Sequence, residues 1–451
     1  MQGAAQPTEP EPEHSSIKDT AARSICCLLI EAHTNIPSQP CPQADCLVAA
    51  GLRSRVLTTS DDRYKTRIES YWCNSAKLNP ACIVQPTSAS EVSAAVKALV
   101  EHEQVFAVRS GGHTNWARSN NIDGGVTIDL GLMNSTTYDA ATETADIGPA
   151  AKWKHVYEEL EQYGRAVAGG REAEVGAGGF LLGGGNNFFA GLHGLAFTAH
   201  AGGEHADLFR VHKGSGNNFG IVTRFTMRTM QSGLVWGGFA VRPMEVMPEL
   251  QMPSPPLLPI RTWIPTARST SRWATCPVWA AALCNIWYTL CFKNDASIIV
   301  KANDLHTELA SQVQEKVADG DFTTHCSFQP IPRTIAQHSV AAGGNVLGLE
   351  QYAHDAIMIQ VNVSMRTQEL ADWARPLVRG VVDGVRAFAA SIDDGVCPWL
   401  HLNYASPDQK VLESYGTANM LRMREAAAKY DPRGVFQRLC PGGFKLAAVK
   451  G

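Results

Sequence analysis

The chain is 451 residues long, 45% hydrophobic and 18% charged; at that length two domains are expected rather than one core. A net charge of −4 and a pI near 6.4 give no basic excess, so nucleic acid and anionic membrane surfaces are excluded as expected partners. A membrane span is excluded too, because the best apolar stretch, Pro277 to Phe292, is broken by Asn285 and falls short of roughly 18 unbroken apolar residues.

Residues 1–45 read as an N-terminal tail or weak helix. The first residues are rich in Pro and Glu and lack a basic region, and the apolar run Cys26 to Ile30 is shorter than the roughly 7 to 15 residues of a signal-peptide core. No secretory leader is therefore expected, while compartment and oligomeric state stay open. The pattern sharpens from Tyr64. Ser88 and Glu91 form a Ser-x-x-Glu capping box ahead of an apolar stripe at Val92, Ala95, Val96, Leu99 and Val100, which predicts a helix with one buried face. Val105 to Val108 follows as a short buried strand, and the chain then turns through Arg109-Ser110-Gly111-Gly112-His113. A second strand is predicted over Gly125 to Leu130, and a second amphipathic helix carries Trp153, Val156, Tyr157 and Leu160. This half is α+β.

From about 230 to 390 the pattern weakens. Pro253-Ser254-Pro255-Pro256 breaks any element there, and residues 262–292 hold four Trp and three Cys without a period. Ala356 to Met365 alternates like a strand, and Gln368 to Ala389 reads as a helix that Pro376 kinks or splits. Met420 to Lys429 is a final helix, stopped by Asp431-Pro432. The 12 cysteines show neither a CxxC pair nor zinc-like His spacing, so no metal site is expected.

Three glycine-rich segments remain to be explained. In Arg109 to His113, two glycines after a strand let backbone N–H groups approach a phosphate, although taken alone a buried strand followed by Gly-Gly reads first as a common turn. Seven glycines between Gly176 and Gly191 argue against a regular element. The interleaved Phe180, Leu181, Leu182, Phe188 and Phe189 favour a backbone wrapped round a ligand over a flexible linker. The third segment runs from Asp207 through Gly214-Ser215-Gly216-Asn217-Asn218-Phe219-Gly220, a loop expected to enter a strand at Ile221-Val222-Thr223. No Gly-Lys-Ser/Thr follows any of them, and no Rossmann unit surrounds them.

Together these segments resemble the FAD-binding domain of the p-cresol methylhydroxylase (PCMH)/vanillyl-alcohol oxidase superfamily, and more narrowly the berberine bridge enzyme-like oxidases, above all their fungal members. The resemblance runs through 80–99, 107–134, 175–194 and 207–227, and again through 402–409 and 415–446. It implies a two-subdomain PCMH-type FAD-binding domain over 75–229. A substrate domain of antiparallel sheet covered by helices is implied over 230–395, and a segment closing the flavin site over 396–451. In that family the His of RSGGH bonds the flavin's 8α-methyl group, which here is His113. Arg109, Ser110, Gly111 and Gly112 are implied to cradle the pyrophosphate. Gly176, Gly178, Gly179, Gly183, Gly184, Asn218, Gly220, Val222 and Asn403 are the other implied cofactor contacts. Relatives with a second covalent link use a Cys where this chain has Glu172, so one link is expected.

The implied reaction oxidises a small organic molecule at an alcohol or a ring C–H/O–H group, with molecular oxygen as acceptor, in fungal secondary metabolism. Tyr404, beside Asn403, is implied as the base, with packing under the flavin as the equal alternative. A tyrosine near its usual pKa of about 10 would need a positive charge beside it to act so. An oligosaccharide oxidase is the nearest enzymatic alternative. The chain departs from the family between Gly194 and Asp207, where two strands are usual, and over 250–295, which matches nothing in it. Those departures keep open a non-catalytic remnant, or misread exon boundaries, lacking part of the flavin domain.

Overall fold

Four short strands build a first sheet: β1 (Val56–Thr58), β2 (Cys82–Val84), β3 (Phe106–Arg109) and β4 (Val126–Asp129). Their order is β1-β2-β4-β3, with β1 antiparallel to β2 and β4 parallel to both its neighbours. Parallel neighbours need a crossover connection, and the helix Ala89–Glu101 runs between β2 and β3. Ser88 Oγ caps that helix by accepting from Glu91 N at 3.2 Å, as the capping box predicts. Glu91 closes the box differently: its carboxylate accepts from Thr87 N at 2.7 Å and pairs with Arg55. The computed structural model describes residues 41–195, 204–232 and 283–449.

A second sheet runs antiparallel in the order β5 (Thr136–Asp139), β6 (Thr144–Ile147), β8 (Phe225–Arg228), and β7 (Arg165–Ala166) pairs with β9 (Met230–Gln231). The helix Trp153–Glu161 buries all four residues of its predicted stripe, which join Ile147 and Phe225 in one core.

The largest sheet contains β10 (Cys284–Lys293), β11 (Phe322–Ile331), β12 (Ala356–Met365) and β13 (Val396–Cys397), in the order β11-β12-β10-β13 and antiparallel throughout. Its faces are unlike. On one, Ile286, Leu290, Phe292, Ile359, Val361 and Val363 form a core with the helices Ala296–Lys316 and Gln368–Ala389. The other face is polar over part of its length: Asn362 stands between Trp287 and His325, and Gln360 between Thr289 and Ser327, while Cys291, Met358 and Ile331 on the same face join a second core. Helix Gln368–Ala389 runs through Pro376 as one element. The proline costs about 3 kcal/mol or more, which the buried face of Val378, Val381, Val382 and Val385 offsets.

Four sequence expectations change. Strand β10 was hidden in the stretch without a period, because Trp287 and Cys291 put apolar residues on the face opposite Ile286, Tyr288 and Leu290 and blur the alternation. The rest of that stretch and the Pro253–Pro256 run lie outside the described residues. Within the glycine run a short helix forms, Ala177–Leu182. Weak propensity is overridden there by tertiary partners, since Ala177 N donates to Ala151 O at 2.8 Å and Gly178 N to Pro149 O at 2.9 Å. The third glycine segment begins with a helix, Ala206–His212. Its strand starts at Phe225 rather than Ile221, because Ile221 and Val222 line a cavity instead of joining a ladder. Residues 196–203, the heart of the shortened region, are outside the described part. Among the described residues no helix is long and apolar enough to cross a membrane.

Candidate active site

The cavity encloses about 300 Å³, and its wall comes from distant parts of the chain: stretches within 108–120, 170–186 and 216–222, Trp287, residues 401–404, and Gly443-Phe444. Its floor depends on a close backbone crossing. A Cβ on Gly111 would stand 2.6 Å from Gly176 Cα, and one on Gly176 equally close to Gly111. Only glycine at both positions lets the two loops touch.

His113 lines this cavity. Its ring is stacked on Trp72 with centroids 4.5 Å apart and planes 14° from parallel. The protein around it pushes its pKa down to about 4, chiefly by burial, so the imidazole is neutral at ordinary pH. The Lys152–Glu174 ion pair lies near enough to act on it electrostatically. From His113 the rings continue: Trp72 meets Trp287 edge-on at 5.5 Å, Trp287 meets Tyr404 at 6.2 Å, and Tyr404 meets His401 at 4.7 Å. One aromatic wall thus joins the two residues singled out for chemistry.

Tyr404 has the cationic partner that its sequence neighbours do not supply. Arg171 Nη2 donates to Tyr404 Oη at 3.0 Å and to Gln329 Oε1 at 2.5 Å, and Asn186 Nδ2 donates to the same Gln329 oxygen at 3.2 Å. His401 beside it is fully enclosed and held neutral, its pKa pushed down to about 3 by burial and then by the charge of Arg171. This arrangement provides a phenol oxygen next to a guanidinium, facing a cavity with a neutral imidazole on its wall.

Of the residues singled out, Ser110, Gly111, Gly112, His113, Gly176, Gly178, Gly179, Gly220, Val222, Asn403 and Tyr404 all line this cavity. Four do not. Val108 and Ser110 face the cavity, so Arg109 between them points the other way. Its guanidinium donates to Arg67 O at 2.5 Å and to Ser70 Oγ at 2.8 Å, and lies 3.8 Å from the centre of the Tyr71 ring. Gly183 sits behind Asn403, where a Cβ would be 2.0 Å from Asn403 Oδ1, and Gly184 sits against Leu347. Asn218 is wholly buried and ties the C-terminal segment down. Its Nδ2 donates to Ser215 O at 2.7 Å and Phe444 O at 2.8 Å, while its Oδ1 accepts from Leu446 N at 3.1 Å. Sequence reasoning missed Trp72, Arg171, Trp287 and His401. Arg171 and His401 lie within a few positions of recognised motifs and were within reach, whereas Trp72 and Trp287 carry no local signal.

The residues present fit a flavin dinucleotide. A Cβ on Gly179 or Gly220 would meet nothing within 4 Å, so bare backbone faces the cavity at both. Asn120 Oδ1 and His401 Nδ1, on residues of its wall, are buried without a protein hydrogen-bond partner. Comparison with known proteins agrees. Residues 80–203 match the family model described as FAD binding domain. The FAD-dependent monooxygenase drtC of Aspergillus calidoustus is 31% identical, over 88% of this chain and 88% of its own length. The FAD-dependent monooxygenase sdcF of Emericella nidulans is 32% identical, over 87% of this chain and 96% of its own. The solved structure of glucooligosaccharide oxidase from Acremonium strictum, which carries a 6-S-cysteinyl, 8α-N1-histidyl FAD, shares the fold. It covers 87% of this chain and 97% of its own with a TM-score of 0.62 at 18% identity.

Proposed function

The chain belongs to the family of FAD-dependent oxidoreductases that contains these fungal monooxygenases, and on that premise we propose that it oxidises an oxygen-bearing small organic molecule at the Tyr404–Arg171 pair, with its flavin bonded to His113. The observation that carries this reading is the shared cavity. It has a neutral His113 on one part of its wall, Tyr404 on another and glycine backbone between them. Bound FAD supplies a hydride acceptor that molecular oxygen reoxidises.

The chain's own residues do the rest. A neutral imidazole keeps a lone pair free to bond carbon, which suits His113 to the flavin's 8α position. Glu172 is also on the cavity wall and cannot form the thioether that a Cys would, so a single link is the reading here. Tyr404 Oη takes the proton of the substrate hydroxyl, and the Arg171 guanidinium at 3.0 Å compensates negative charge on that oxygen. The polar face of the large sheet points to the substrate class. Next to Trp287 in register, both side-chain polar atoms of Asn362 are buried without a protein partner, as are Gln360 Nε2 and Ser327 Oγ. These groups lie behind Trp287, which lines the cavity, and polar atoms backing its wall suit a ligand that brings hydroxyl or carbonyl oxygens. In domain terms, 75–229 holds the cofactor, 230–395 faces the substrate, and 396–451 closes the site with Tyr404 and Phe444. A tailoring step in secondary metabolism is the setting that fits.

The test is acid denaturation of the purified protein beside His113→Ala. Flavin is expected in the wild-type pellet and in the supernatant of the variant. Flavin released from both would keep the oxidoreductase and remove the covalent link. No flavin in either fraction would favour the non-catalytic remnant.

A further inference from the structure

Two cysteines outside the cavity face each other across the large sheet. Strands β10 and β13 pair antiparallel with Cys291 directly opposite Cys397. Lys293 N donates to Gly395 O at 2.9 Å two positions along, so by alternation Cys291 and Cys397 also form a hydrogen-bonded pair, with Cα atoms about 5.5 Å apart. That separation lies within the roughly 4.4–6.8 Å that a disulfide spans. Residues opposed in this way send their side chains to the same face, which brings the two cysteine side chains together. Both are buried in one core with Met358 and Trp399. Tyr352, only partly buried, packs against that core, and its hydroxyl reaches Asp394 O at 2.7 Å.

We propose that Cys291 and Cys397 are a dithiol site that a hydroperoxide oxidises to a cross-strand disulfide, tying β13 to β10. The two thiols are unequal. Burial pushes the Cys291 thiol up, so the reaction is written with Cys397 attacking first; the disulfide formed is the same whichever sulfur begins. The Cys397 sulfur attacks one peroxide oxygen, breaking the O–O bond and releasing water from hydrogen peroxide, and becomes a sulfenic acid. Cys291 then attacks that sulfur, the S–O bond breaks, and a second water leaves with the thiol proton. Two thiols and one hydrogen peroxide thus give one disulfide and two waters. The bond would anchor the end of β13, from which the chain continues through Trp399 to His401 and Tyr404, at a point four residues along β10 from Trp287.

Peptide mapping of the full-length protein decides the matter without reference to turnover. The protein is reduced, exposed to hydrogen peroxide, denatured and alkylated. The expected result is a crosslinked Cys291–Cys397 peptide pair, about 2 Da lighter than the two thiol peptides together, with loss of alkylation at both cysteines and its return after dithiothreitol. In Cys397→Ser, Cys291 is expected to stay alkylatable after peroxide. Both thiols still alkylatable in oxidised wild type would overturn the proposal. So would a crosslink that pairs either with another cysteine, such as Cys284 or Cys73.

Discussion

Gly179→Ala separates holding the fold from holding the cofactor. Gly179 lies inside the helix Ala177–Leu182, lines the cavity, and has nothing within 4 Å of the place a Cβ would occupy. Replacing a helical glycine with alanine stabilises by roughly 0.5–1 kcal/mol when the backbone already suits it. The same methyl projects into the cavity, over backbone that is bare in the wild type. If it displaces one charged oxygen of the cofactor from a backbone N–H, the loss is about 1.5–3 kcal/mol, or roughly 10- to 150-fold in affinity. The urea midpoint of flavin-free protein is therefore expected to stay level or rise, while FAD binding weakens. Affinity is best read by flavin fluorescence titration in a His113→Ala background, where binding is reversible. Gly380→Ala is the control, because that glycine is also helical and open to space but stands outside the cavity wall. If Gly179→Ala bound FAD as tightly as the control, this wall would not be the cofactor's seat.

Three further outcomes are expected. Tyr404→Phe should lower kcat by roughly 10²–10⁴-fold, the usual span of a lost general base, and Arg171→Met should reproduce much of that loss with Tyr404 still present; full activity in Tyr404→Phe would leave the ring a packing element. Burial pushes His306 down to about 4 and His401 to about 3, whereas the unfolded chain takes up these protons near pH 6.5. Stability is thus complete above about pH 6.5 and falls as pH drops towards 4, by on the order of 3 kcal/mol for one such group; equal urea midpoints at pH 7.5 and pH 5 would refute this. Asn218→Ala strands the carbonyls of Ser215 and Phe444 and the amide of Leu446, and should cost about 3–5 kcal/mol, with limited proteolysis cutting first near the C-terminus; wild-type protease resistance would count against the anchoring role.

How much of this could be read in advance depended on distance along the chain. The cap at Ser88, the stripe from Trp153 to Leu160 and the ten-residue strand Ala356–Met365 are local patterns, set by residues within a few positions of one another, and sequence alone determined them. The close approach of Gly111 and Gly176 was likewise marked in the sequence by glycine, the one residue that allows it, and both residues line the cavity. What it could not determine was which residues meet across long separations. Arg171 reaches Tyr404 over 233 positions, and Trp72 reaches His113 through the packing of different elements. Strand β10 gave no clear alternation to detect, since Trp287 and Cys291 make its second face partly apolar, whereas Ala356–Met365 keeps Gln360, Asn362 and Ser364 on that face. Arg109 marks the boundary between the two kinds of information. Its motif pointed to a phosphate, but the strand's two-residue repeat, with Val108 and Ser110 on the cavity side, turned its guanidinium into the core. Local sequence sets the conformation of a segment, and tertiary packing decides which way that segment faces and what it meets.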